Sequence, residues 1–202
     1  MAEEEILTDA QIERYARHIL LREVGGAGQR RLLASAVRIE GLSPEGAWAA
    51  LYLALAGVGR LVLADPRPVP VGGMPPLIPA SQVGAPRDAA ALAALAAHNP
   101  DVALERDGEA APPDGGSLLR PGNAELPLVV RAAGRAALVG WTEAPPCPIC
   151  APVGEATPEA AALAGSLAAS RALGYLLFGA APRGLVRLEA GREEALGPCP
   201  HR

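Results

Sequence analysis

The chain has 202 residues, enough for one domain with a real core at the usual size of about 150 residues per domain. Half of its residues are hydrophobic, a fifth are charged and three are Cys, which excludes a disordered chain and a disulfide-stapled scaffold. The formal charge of −4 leaves no electrostatic footprint for nucleic acid or an anionic membrane surface.

The first five residues, Met1-Ala2-Glu3-Glu4-Glu5, have neither the basic nor the apolar region of a secretory signal, so a cytoplasmic protein is expected. Thr8 and Gln11 form a capping-box pair, and Ile12, Tyr15, Ala16, Ile19 and Leu20 line one face of the helix that should follow. Gly25-Gly26-Ala27-Gly28 interrupts it, a short helix from Gln29 to Ala34 follows, and Val37 to Ile39 alternates like a strand leading to Gly41. Ser43 as N-cap and Pro44 at the first helical position open a second helix, which Gly57 can end. Leu61 to Ala64 is a short buried-strand run closing at Asp65.

Strand, helix and strand within about 30 residues make a βαβ unit, hence a parallel pair and an α/β fold. Residues 66–86 read as a Pro/Gly-rich loop, Arg87 to Ala97 as an alanine-rich helix, and Val102 to Glu105 as a third strand. Residues 107–125 show almost no apolar periodicity and read as an exposed link. Strands are expected at Leu126 to Val130, Ala136 to Trp141 and Leu185 to Glu189, with a long helix from Thr157 to Phe178. Ser166, Ser170 and Arg171 inside that apolar helix fit a buried element better than a membrane span.

The order of short motifs resembles the ThiF/MoeB/HesA family, relatives of ubiquitin-activating enzymes. The resemblance rests on Arg14-Tyr15-Ala16-Arg17-His18, Gly28-Gln29, a strand ending in Gly41, the turn Ala56-Gly57-Val58-Gly59, Val83-Gly84-Ala85-Pro86-Arg87 and His98-Asn99-Pro100. Cys147-Pro148-Ile149-Cys150 and Gly165-Ser166-Leu167 continue it. It implies adenylation of the C-terminal glycine of a ubiquitin-like or sulfur-carrier protein with magnesium ATP, in a dimer that commonly holds structural zinc. Together with the βαβ pattern, it implies one Rossmann-like domain over 1–202, its mostly parallel sheet carrying helices on both faces. Residues 1–35 would be an N-terminal helical segment, 36–135 a shortened core, and 136–202 small strands, a long helix and Cys-rich ends.

The site residues depart from the family pattern. Where the family has Gly-x-Gly-x-x-Gly, this chain reads Gly41-Leu42-Ser43-Pro44-Glu45-Gly46. The central glycine is gone, Pro44 offers no N–H, and a Glu45 carboxylate about 5 Å from a phosphate would repel each charge by roughly 1–3 kcal/mol. The segment is either an ordinary self-capped helix start or a nucleotide site of unusual geometry. Asp65 keeps the family's ribose-binding position, or is a plain turn residue. Arg87 stands for the phosphate-binding Lys, while the family's phosphate-gripping Arg has no equivalent after Asp65. Asp107 and Asp114 are the remaining acids for magnesium, and neither sits on an expected strand end. ATP and magnesium binding are therefore not expected.

Arg17 corresponds to the family arginine that reaches the partner's ATP, or is a solvated residue of an amphipathic helix. Partners implied are a second copy, or a complete family member that this chain would assist in a heterodimer, and a ubiquitin-like or sulfur-carrier protein. Cys147, Cys150 and Cys199, with His201 as fourth donor, are the candidate zinc set, free thiols or a redox pair being the alternative. His18 and His98 have no acidic or thiol neighbours at useful spacing and read as surface or packing residues.

Overall fold

The computed structural model describes residues 6–108, 116–142 and 154–196. Thr8 caps the first helix as the sequence indicates: its hydroxyl accepts from Gln11 N–H at 3.2 Å and the Gln11 side chain accepts from Thr8 N–H at 3.1 Å. The expected single helix is nevertheless broken at Tyr15 into α1 (Asp9–Arg14) and α2 (Ala16–Ile19). The reason is tertiary. Tyr15 is buried, its hydroxyl accepting from Asn99 Nδ2 at 2.9 Å and donating to Asp101 Oδ2 at 3.0 Å, while Asn99 Nδ2 also donates to the Ala54 carbonyl at 2.7 Å. Burial chiefly raises the Tyr15 phenol above its ordinary value. The next helix, α3 (Gly25–Leu33), begins within the glycine run expected to interrupt the chain.

From there the elements follow β1 (Ala36–Glu40), α4 (Pro44–Leu55), β2 (Arg60–Ala64), α5 (Arg87–Ala96) and β3 (Ala103–Arg106). These make two consecutive βαβ units with β1, β2 and β3 parallel. Then come β4 (Ser117–Pro121), β5 (Leu128–Ala133), β6 (Ala136–Trp141), α6 (Pro158–Phe178), β7 (Gly184–Glu189) and β8 (Arg192–Leu196). Strand β4 lies in the stretch read as a structureless link, and β8, with its charged Arg-Glu-Glu start, carried no strand signal.

The eight strands of the described residues form one sheet in the order β3-β2-β1-β4-β5-β6-β7-β8. The α/β, Rossmann-like class is the one adopted, with a mixed sheet: parallel across the βαβ half, antiparallel from the β1–β4 pair onward. The physical reason is connection length. Short links such as those joining β4 to β5 and β5 to β6 allow only antiparallel neighbours, since a parallel step needs a crossover of a dozen residues or more.

Val37, Ile39, Leu61, Leu63, Leu119, Leu128, Val130, Val139 and Trp141 share one face by register and form a single core with residues of α4, α5 and α6. The opposite face carries Arg38, Glu40 and Arg120. There Glu40 accepts from Arg38 Nε at 3.0 Å and Arg120 Nε at 2.9 Å, and Arg38 also pairs with Asp107. Charged side chains at this end of the face are stable against water when they are paired, and farther along the same face Val129 and Leu138 are buried. By length and composition α6 could cross a membrane, yet Ala161, Ala164, Ala168, Ala169 and Ala172 place one side of it in the protein core.

The start of α4 is seated on the sheet. Ser43 Oγ lies 2.6 Å from Ser117 Oγ of β4, and the Glu45 carboxylate accepts from Ala132 N–H of β5 at 3.1 Å. Burial pushes the Glu45 carboxyl up to about 7, against hydrogen bonds from its own N–H, the Ser43 side chain and Ala132 N–H and the charge of Arg131. A carboxyl raised from its ordinary 4.5 makes the folded state hold the proton more tightly than the unfolded chain. Its contribution is thus most favourable below the unfolded value and is lost as pH rises through 7. Urea denaturation of Glu45→Gln should therefore show an advantage over the wild type that grows by about 2–3 kcal/mol from pH 5 to pH 8. A constant difference across that window would contradict the burial of an ionisable group here.

Candidate functional site

In an open α/β sheet the ligand crevice lies beyond the carboxyl ends of the strands, where neighbouring connections diverge. Here that place is the turn from β1 into α4, with the ends of β2 and β3 beside it. Each glycine of a Gly-x-Gly-x-x-Gly turn has a distinct role: the first makes the tight turn, the second admits the phosphates, the third lets helix and strand approach. Gly41 keeps the first role with φ of 81°. Gly46 keeps the third, since a Cβ there would stand 2.2 Å from Ser117 Oγ and 2.9 Å from the Gly41 carbonyl oxygen. The second is Ser43, whose hydroxyl is engaged with Ser117.

Backbone donors of the turn are reduced as well. Leu42 N–H donates to Asp65 Oδ2 at 2.7 Å and Pro44 has no N–H. The expected repulsion of phosphate by a forward-pointing Glu45 is corrected. That side chain is 3% exposed and bonded to Ala132 of β5, so it consumes a donor and fills the seat of the helix without confronting an anion in water.

Beside the turn lies a cluster of buried charge. Asp65, fully buried at the end of β2, accepts from Arg67 Nε at 2.8 Å, Arg67 Nη2 at 2.7 Å and Arg67 N–H at 3.1 Å in addition to Leu42. Burial alone would raise the Asp65 carboxyl; the Arg67 hydrogen bonds, the Leu42 N–H and the Arg67 charge outweigh it and hold the group below its ordinary range. Arg87, at the start of α5, donates to the Pro68 and Leu42 carbonyls, and its Nη1 is 3.8 Å from Asp65 Oδ2. Burial, and next the Arg67 charge, lower the Arg87 guanidinium from its ordinary value. Asp88, also fully buried, accepts from Arg106 Nε at 2.9 Å. The structure thus brings together Gly41, Asp65 and Arg87, three residues singled out in the sequence. Arg67, Asp88 and Arg106 were not singled out; the Asp-Pro-Arg spacing at 65–67 was the available signal, because an acid and an arginine two residues apart can close a local ion pair.

Other candidates lie elsewhere. Arg17 is solvent-exposed on α2. His18 Nδ1 is 3.0 Å from Gln29 Oε1, consistent with a packing role. Asp107 does follow a strand end, directly after β3, contrary to the expectation, and it is engaged by Arg38 on the charged sheet face. Among the described residues no group of three or more His, Cys, Asp or Glu could hold a metal ion. Asp114, Cys147, Cys150, Cys199 and His201 lie outside the described residues.

The geometry can be set against known proteins. The chain is 41% identical over 101 residues to the heterocyst HesA protein of Trichormus variabilis, a match covering 49% of this chain and 38% of that protein. It is 40% identical over 100 residues to the sulfur carrier protein ThiS adenylyltransferase of Escherichia coli, covering 48% of this chain and 40% of the enzyme. The aligned region therefore spans about two fifths of these curated relatives. In fold, the crystal structure of PaaA superposes with a TM-score of 0.73 over 95% of this chain and 84% of PaaA, at 19% identity. The ThiF family profile matches residues 15–125, more than half of the sequence and the whole stretch from Tyr15 through the turn at Gly41 to the cluster around Asp65, and the chain belongs to the ThiF family.

Proposed function

We propose that this chain is a catalytically degenerate member of the ThiF family that serves as a partner-binding or dimerisation module. The observation that carries the reading is the division of labour in the β1–α4 turn. The two glycines the fold requires are kept, the one the ligand requires is replaced, the Leu42 donor is spent on Asp65 and Pro44 has none to give. ATP and magnesium do not fit this site: Asp65 has its acceptors filled and Asp107 is paired with Arg38.

Magnitudes support the reading. Each lost charge-assisted bond to phosphate is worth about 1.5–3 kcal/mol, and 1.4 kcal/mol is tenfold in affinity, so two or three such losses carry a micromolar site to the millimolar range or beyond. The isolated chain should therefore show no ATP binding by calorimetry at ligand concentrations on the order of 0.1 mM, and no ATP–pyrophosphate exchange with a carrier protein. Robust exchange by the chain alone would restore the alternative, an ATP-dependent adenylyltransferase acting on a ubiquitin-like or sulfur-carrier protein, the activity named for the ThiS relative. Exchange only after mixing with a complete family member, and its loss on Arg17→Ala, would assign this chain a helper role in which Arg17 acts in trans.

The outer surface offers places for a partner. Leu163 and Phe178 on α6, Tyr52 and Leu55 on α4, and Ile12 and Leu20 in the N-terminal segment are all exposed. A second copy is the simplest occupant, since most soluble oligomers are symmetric homo-oligomers. Light scattering at micromolar concentration should give about twice the 20.6 kDa chain mass. A monomer that also fails to associate with a complete family member removes this reading.

The donor set Cys147, Cys150, Cys199 and His201 suits a structural zinc, since three thiolates and an imidazole fill a tetrahedron. Protein purified without added metal should contain close to one zinc per chain by elemental analysis, and chelation should lower its melting temperature. A metal-free chain that melts identically with and without chelator rules it out.

A further inference from the structure

Asp65 presents two oxygens to four donors: Leu42 N–H and Arg67 Nη2 on Oδ2, Arg67 N–H and Arg67 Nε on Oδ1. An ionised carboxylate has about four acceptor positions, so the set is full. In a doubly wound fold an acid about 20 residues beyond the glycine turn is placed to take the ribose hydroxyls of a nucleotide. The guanidinium fork meets both oxygens of Asp65 at 2.7–2.8 Å, the two-point contact that a vicinal diol would otherwise make.

We propose that Arg67 is a built-in occupant of the nucleoside position, and that Asp65 accepts a vicinal diol only when this side chain swings out. The main chain at Arg67 is pinned on both sides, its N–H on Asp65 and its carbonyl accepting from Arg87 N–H at 2.9 Å. Opening thus moves the side chain and leaves the main chain in place. The Arg67 side chain is 35% exposed and borders solvent, while Asp65 is fully buried. Arg87 remains 3.8 Å from Asp65, anchored on two carbonyls, and leaves a positive charge beside the carboxylate when Arg67 moves away.

This inference rests on reading the β1–α4 turn as unable to hold phosphates, so the probe is a nucleoside without any. Adenosine and 2′-deoxyadenosine are titrated against the wild type, Arg67→Ala, Arg67→Lys and the double variant Arg67→Ala/Asp65→Asn by ligand-observed NMR, with circular dichroism as the folding control. Arg67→Ala should bind adenosine at least about tenfold more tightly than the wild type and prefer it to the deoxynucleoside, and Asp65→Asn should abolish the gain. Arg67→Lys, which keeps the charge but cannot span both oxygens, should show a smaller gain and carries the comparison if Arg67→Ala does not fold. Equal affinity of wild type and single variants, or a gain that survives Asp65→Asn, overturns the proposal. Pyrophosphate exchange by the wild-type chain would instead overturn the degenerate reading, and the two failures are read in separate assays.

Discussion

The close seating of the α4 N-terminus on β4 and β5 is the constraint on which the rest of the structure depends. Gly46 allows the helix to reach Ser117 at a distance that no side chain would permit, and the Ser43–Ser117 and Glu45–Ala132 hydrogen bonds fix it there. That seat joins the parallel half of the sheet to its antiparallel half, because α4 belongs to the first βαβ unit while β4 and β5 belong to the hairpin series. It also decides the chemistry of the turn. A helix start that satisfies its polar groups within the protein has few donors left for an anion.

The same economy governs the buried charges. Asp65 and Asp88 lie at the carboxyl end of the parallel strands, where a ligand would be expected, and each is matched by an arginine supplied from nearby backbone. A buried carboxylate left without a partner costs several kcal/mol, a cost these pairings offset. On the opposite sheet face, Arg38, Glu40, Arg120 and Asp107 do for the exposed surface what the arginines do for the crevice. Both arrangements satisfy charge with opposite charges of the chain itself.

The N-terminal segment is attached by a different device. Tyr15, inserted between two short helices, reaches Asn99 and Asp101 and so ties residues far apart in sequence. Helices of four and six residues have little stability of their own, and this tertiary anchor is what orders them. The apolar residues left outside, Ile12 and Leu20, and the exposed Arg17 are then presented on a fixed platform.

Much of this was written locally. The capping box at Thr8, the βαβ spacing, the strand from Ala136 to Trp141 and the long helix ending at Phe178 are legible because periodicity, caps and turn residues agree over short distances. The loss of the second glycine is equally a fact of sequence, as is the retention of Asp65 and Arg87. What the sequence did not show depends on neighbours far along the chain. Strand β4 has a weak signal of its own and forms because β1 and β5 offer it both edges. Tyr15 breaks a continuous helical pattern for a contact 84 residues away. Glu45 turns from a presumed barrier to anions into a buried prop for β5, and Arg67, an ordinary loop residue by position, becomes the occupant of Asp65. Composition and periodicity determined the elements and the missing phosphate glycine; only the packing of distant segments decided which groups the remaining polar atoms would meet, because hydrogen-bond satisfaction of buried charge is settled in three dimensions.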